Sequence, residues 1–186
     1  LEHVSRISEI AAHSRFAEAT PDMVAAIAEG AGQFAAGEWA PLNRVGDTSN
    51  PKWSDGTVTM PPGFKAAYRA YVEGGWGTID GPTQFGGQGL PYALGFMVLE
   101  NLGTANMGFN LCPILTNGAV EALLSHGSPE QQAMYLPKLV TGEWNGTMGQ
   151  NAFVEARAGQ FGYNFGLDSN TQATRYESLS SNEILG

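Results

Sequence analysis

The sequence predicts an all-α fold, an N-terminal bundle of about six helices with a central buried helix, followed by an irregular C-terminal tail. Three observations carry that prediction. Apolar residues recur at intervals of three and four through most of the first 142 positions, the spacing that lines one side of an α-helix. The run from Met107 to Leu124 holds a single charged side chain, Glu121, and a helix apolar all round belongs in the middle of a bundle. No βαβ alternation and no internal repeat appears.

Taken in order, Leu1, Val4, Ile7 and Ala11 form the apolar side of a short first helix. Thr20-Pro21-Asp22 supplies an N-cap, a proline at the first helical position and an acid in the first turn. Met23, Ile27, Ala31 and Phe34 then carry a helix expected to end near Trp39, ahead of Pro41. Residues 43–60 read as a surface loop with a short extended stretch at Thr57–Met60, because Gly46-Asp47 and Ser54-Asp55-Gly56 are turn formers. Pro61-Pro62 opens a helix with Phe64, Tyr68, Tyr71 and Val72 on one face, ending near Gly74-Gly75. Leu90, Leu94, Met97, Val98 and Leu102 mark the next. The apolar run from Met107 follows, with Pro113 marking either a kink or a first turn. Ser128-Pro129-Glu130-Gln131 is a capping box, and Met134, Leu136 and Leu139 lead to a stop at Gly142.

From Gly149 the texture changes: 18 of the last 38 residues are Gly, Asn, Ser, Gln or Thr, and no sustained period emerges. A boundary is therefore expected near 148, dividing a helical domain (1–148) from a divergent or disordered tail (149–186).

Composition excludes several functions. Eighteen acidic residues against nine basic ones repel a phosphate backbone, and no Lys/Arg cluster offsets them, so no nucleic-acid partner is expected. No apolar run approaches the roughly 20 residues of a membrane span. The start, Leu1-Glu2-His3-Val4, has no signal-peptide pattern, and the lone Cys112 rules out an internal disulfide, so a reducing, cytoplasmic setting is expected. His3, His13 and His126 are too scattered for a metal site. Cys112, with no histidine nearby, reads as a small buried hydrophobe. Glu18, Glu73, Glu100, Glu121 and Glu130 read as solvated helix surface, not catalytic bases. The glycine-rich stretch Gln84–Leu90 lacks the Lys and Ser/Thr of a phosphate-binding loop, so a tight connection into the next helix is favoured over an anion cradle.

A further set of motifs occurs in a specific order: Arg15-Phe16-Ala17-Glu18-Ala19-Thr20-Pro21-Asp22, Pro61-Pro62-Gly63-Phe64-Lys65, Gly74-Gly75-Trp76, Phe85-Gly86-Gly87-Gln88-Gly89-Leu90-Pro91, Ala105-Asn106-Met107, Gly127-Ser128-Pro129-Glu130-Gln131-Gln132, Tyr135-Leu136-Pro137-Lys138-Leu139 and Gly146-Thr147-Met148. Over residues 14–148 this order resembles the N-terminal helical domain of the acyl-CoA dehydrogenase family, most of all the branch that includes methylmercaptopropionyl-CoA dehydrogenases.

The resemblance implies a parent flavoprotein of fatty acid metabolism with a helical domain, a β domain and a C-terminal helical domain. It implies FAD bound outside the helical domain, a homo-oligomer, and an acyl-CoA substrate dehydrogenated between its α and β carbons. The carboxylate base implied by the family belongs to the C-terminal domain, so no catalytic residue is assigned here. The helical domain's share is a wall of the acyl pocket. By position on the central helix, Met107, Asn110, Leu111 and Ile114 are the substrate-binding candidates, with plain core packing as the equal alternative. Asn110 is the most informative, since a buried amide needs a partner.

After Met148 the family's flavin-contacting Thr-Glu-Pro-x-Ala-Gly-Ser-Asp segment is matched only by Glu155, Ala158 and Gly159. A shifted reading frame, a fused segment and a misassigned end each account for that departure. The chain alone is expected to bind no FAD and to be inactive. The alternative from a different class is a helical binding or assembly module without redox chemistry.

Overall fold

The computed structural model describes residues 1–143 in full and, beyond them, only the backbone of the segments Thr147–Met148, Ala152–Gly159, Gly162–Ser169, Tyr176–Glu177 and Ile184–Leu185. The chain divides into two units, Leu1–Glu143 and Trp144–Gly186.

The first unit has the all-α architecture that the sequence predicts. It opens with α1 (Glu2–Ser5) and α2 (Ile7–Ala11). The single first helix expected there is interrupted at Arg6, whose φ of 52° is left-handed. The interruption lets the Glu2 carboxylate accept from the Ser8 backbone N–H at 3.2 Å and the Ser8 hydroxyl at 2.6 Å, which caps α2. Those bonds also hold the exposed Glu2 carboxyl below its ordinary pKa. Only Ile7 of this pair is buried.

Next comes α3 (Pro21–Phe34), with Thr20 Oγ1 accepting from Met23 N as the expected cap. It does not stop at Trp39. A π turn, Ala35–Trp39, joins it directly to α4 (Ala40–Thr48). Pro41 is accommodated because it lies in the first turn of α4, where an amide hydrogen has no intrahelical partner to lose. The expected loop is thereby shortened, and its extended stretch is one arm of a hairpin, β1 (Lys52–Ser54) paired antiparallel with β2 (Thr57–Thr59).

Then follow α5 (Phe64–Glu73), α6 (Tyr92–His126) and α7 (Pro129–Val140). The break in α6 is at Asn106, with φ −158° and ψ 88°, and not at Pro113, which is buried inside the second half. Counting α1–α2 and α3–α4 as one interrupted helix each, and α6 as two, gives the six expected. The capping box at Ser128 forms in full. From α7, Gln132 Nε2 reaches back to the carbonyls of Leu123, Leu124 and Gly127 around the end of α6.

Packed against α6 are α3, the π turn, α4 and α7. The core centres on Trp39, Leu94, Leu102 and Leu136, all at 0 % exposure. The Trp39 ring stacks on Phe109 with centroids 4.2 Å apart, and Phe64 and Tyr71 close around the pair at 4.8 Å from Phe109 and 5.7 Å from Trp39.

In the second unit β3 (Thr147–Met148), β4 (Ala152–Gly159) and β5 (Gly162–Ser169) form an antiparallel sheet, and β6 (Tyr176–Glu177) pairs with β7 (Ile184–Leu185). Where the sequence reads as irregular, β4 and β5 align Val154, Ala156 and Ala158 with Leu167, Phe165 and Tyr163. That period-two alternation is a strand signal, which a search for helical spacing passes over. The expected boundary at 148 adjoins residues 149–151, which lie outside those described.

Candidate functional site

The two halves of α6 bury different kinds of residue. From Tyr92 to Ala105 the buried positions are Leu94, Gly95, Val98, Leu99, Leu102 and Gly103, an ordinary apolar face. From Met107 onward they are Phe109, Asn110, Pro113, Thr116, Ala119 and Val120. Four large apolar side chains of that half point outward: Met107 is 59 % exposed, Leu111 55 %, Ile114 39 % and Leu115 66 %. Positions 107, 111, 114 and 115 fall within about a third of the helix circumference at roughly 100° per residue. They form one continuous apolar stripe. The expectation of a half buried all round is thus met on one side; the other side has no cover among the described residues.

Three of the four residues singled out by sequence, Met107, Leu111 and Ile114, share this stripe. The fourth does not. Asn110 is 1 % exposed and turned inward, where its Nδ2 donates to the Leu99 carbonyl at 3.0 Å across the break in the helix. Its Oδ1 meets no donor. The partner that a buried amide demands is found for one end of the side chain and not the other. Gly103 makes this approach possible, because a Cβ there would come within 3.0 Å of Asn110 Nδ2 and 3.3 Å of the Met107 methyl.

Sequence reasoning missed Asn106. Its Oδ1 accepts from Phe109 N at 3.0 Å, which makes it the N-cap of the second half, and its Nδ2 donates to the Trp39 carbonyl at 3.4 Å. The available signal was local: Asn, a strong capping residue, with the weak helix formers Gly103, Thr104 and Gly108 close by. A second missed residue is Asp80, packed against the open side of Gly95. Burial pushes its carboxyl above the ordinary carboxylate range, and the charge of Glu121 adds to the rise.

The glycine-rich loop is the tight connection favoured by the sequence. Phe85, Gly86, Gly87, Gln88, Gly89 and Leu90 donate their backbone N–H groups to carbonyls of Pro82, Thr83, Pro82, Thr78, Gly81 and Ile79. None of these amides is left to hold an anion. A Cβ on Gly87 would lie 2.0 Å from the Gly81 oxygen, so only glycine fits there.

The remaining candidates are distributed singly. Cys112 is half-buried, and Glu18, Glu73, Glu100, Glu121, Glu130 and His126 are exposed. A separate apolar groove of about 740 Å³ runs between Leu1, Val4, Ile10 and Phe16 and the start of α6, and none of the four sequence-predicted residues lines it. No helix of the described residues is long and apolar enough to cross a membrane.

Residues 21–143 match the family model described as acyl-CoA dehydrogenase, N-terminal domain. The chain is 41 % identical over 148 residues to 3-methylmercaptopropionyl-CoA dehydrogenase of Ruegeria pomeroyi, covering 80 % of this chain and 25 % of that protein. It is 32 % identical over 111 residues to a butyryl-CoA dehydrogenase of Syntrophomonas wolfei, covering 58 % of this chain and 18 % of the relative. It thus spans a quarter or less of the length of these curated relatives. A solved structure described as electron transferring flavoprotein of Acidaminococcus fermentans superposes with a TM-score of 0.51 at 22 % identity, over 66 % of this chain and 30 % of the other, a likeness of fold. By its helical unit, the chain belongs to the acyl-CoA dehydrogenase family.

Proposed function

We propose that this chain is the N-terminal helical part of an FAD-dependent acyl-CoA dehydrogenase, contributes an apolar wall to the acyl site of the assembled enzyme, and is inactive by itself. The observation that carries the reading is the inverted second half of α6. A helix that buries Asn110 and Thr116 while exposing Met107, Leu111, Ile114 and Leu115 is built to be covered by something outside the described residues. An acyl chain and the remaining domains of such an enzyme are apolar covers of that kind. On this reading Met107, Leu111 and Ile114 touch substrate, and Asn110 supports them from within. The helical domain ends near Met148, the enzyme works as a homo-oligomer, and the setting is cytoplasmic.

FAD supplies the hydride acceptor in such chemistry when it is bound. The described residues do not fit it. The amides of the glycine-rich loop are committed to their own chain, and Asp80 and Glu121 bring negative charge to the neighbouring surface, which disfavours a pyrophosphate. No step of the reaction is therefore assigned to this chain's residues. The purified 186-residue chain should elute without stoichiometric flavin and should not reduce dye in the presence of acyl-CoA. A yellow protein with one FAD per chain would overturn the inactive-alone reading.

A second reading, a helical assembly module without redox chemistry, draws on the same uncovered stripe. Light scattering of the chain, alone and mixed with a full-length relative, separates the two. Association that blocks no acyl-CoA binding favours the module. Failure to associate with either counts against it.

A further inference from the structure

Two irregularities meet in the core of the first unit. One is the π turn that ends at Trp39, and the other is the break of α6 at Asn106. A single side chain joins them. Asn106 Oδ1 caps the second half of α6 through Phe109 N, Nδ2 ties the break to the Trp39 carbonyl, and the Phe109 ring stacks on the Trp39 ring. Asn106 is 4 % exposed, so water cannot stand in for either bond. Its backbone is extended, a conformation any residue adopts, so the hydrogen bonds of the side chain rather than strain select the break. Ala105 and Met107 on either side are good helix formers, and a residue without a capping oxygen at 106 would favour one continuous helix.

We propose that Asn106 is a positioning residue: it sets the direction of the second half of α6, and through it the place of Met107, Leu111 and Ile114. The importance of that placement for an acyl group rests on the reading above. The direction itself is measurable without any acyl ligand, so failure of one idea is distinguishable from failure of the other.

The test uses the full chain with Cys112→Ala, Glu100→Cys and Gly118→Cys, spin-labelled at the two new cysteines for a dipolar distance measurement. Both labelled positions are exposed, and no atom lies within 4 Å of a Cβ built on Gly118. With Asn106 in place the distribution should be narrow and shorter than an unbroken helix gives, where 18 residues span ~27 Å between Cα atoms. Asn106→Ala should lengthen or broaden it, while Asn106→Asp, which keeps the capping oxygen for Phe109 N but loses the donor to the Trp39 carbonyl, should shift it less than the alanine variant does. An unchanged distance in the alanine variant overturns the proposal, as does an aspartate variant displaced as far as the alanine one. Should circular dichroism show the alanine variant unfolded, the aspartate variant decides alone: a distance still shorter than that of an unbroken helix supports the proposal, and the unbroken-helix distance overturns it.

Discussion

The two halves of α6 differ in what they ask of the rest of the protein. The first, up to Ala105, satisfies itself within the bundle, with Leu94 and Leu102 at 0 % exposure in the core. The second keeps an amide and a hydroxyl inside and displays Met107, Leu111 and Leu115 outside. Covalently they are one helix; energetically the first half stabilises this unit, and the second is shaped for a surface that the unit does not contain.

That contrast makes Leu102 and Leu111 the pair to separate. Leu102→Ala should cost about 2–5 kcal/mol in urea unfolding, because it opens a cavity with no room to collapse. A cost below about 1 kcal/mol would break the contrast from the first-half side. On the inner face of the second half, Asn110→Ala should cost about 1 kcal/mol. It removes the bond to the Leu99 carbonyl, but it also removes the unpaired Oδ1, and the two partly cancel. A loss as large as that of Leu102→Ala would mean the second half is core like the first.

On the outer face, Leu111→Gln should change stability by no more than about 0.5 kcal/mol while lowering the binding of a fluorescent apolar dye to the chain. Equal dye binding by the variant would place the exposed apolar surface elsewhere, with the groove beside Phe16 and Phe96 as the alternative. The last comparison concerns pH. Asp80 has a folded pKa raised by burial, so the native state binds more protons than the unfolded one between the ordinary value near 4 and the raised one. Stability should therefore fall as pH rises through that window, and Asp80→Asn should flatten this part of the profile. An unchanged slope would show that another group titrates there.

Features held by neighbours along the chain are legible in the sequence itself. Thr20 and Ser128 cap helices because their oxygens reach amides three residues on, and Gly142 ends α7 with a φ of 75°. Features set by distant packing are not. Nothing local in Arg6 announces a left-handed residue, and Pro41 reads as a stop until the π turn places it in a new first turn. The candidate site shows the same limit. The apolar run from Met107 to Leu124 states that a helix is to be covered, but hydrophobicity has the same pattern whether the cover is this unit or another. Spacing puts Met107, Leu111 and Ile114 together, whereas the inward turn of Asn110 depends on Gly103 and on the break at Asn106, which spacing does not reveal.

The π turn at Ala35–Trp39 fixes more than a local shape. One residue inserted into an α-helix advances everything after it by roughly 100° about the axis. The π turn absorbs one extra residue and so keeps Trp39 in phase with the core, which makes the two kinds of length change unequal: deleting the exposed Gly37 would restore a regular helix and leave the indole near Phe109, whereas a further insertion would turn it away. Side-chain substitutions there are repaired by repacking and a one-residue deletion by loss of the wide turn; a one-residue insertion has no such remedy.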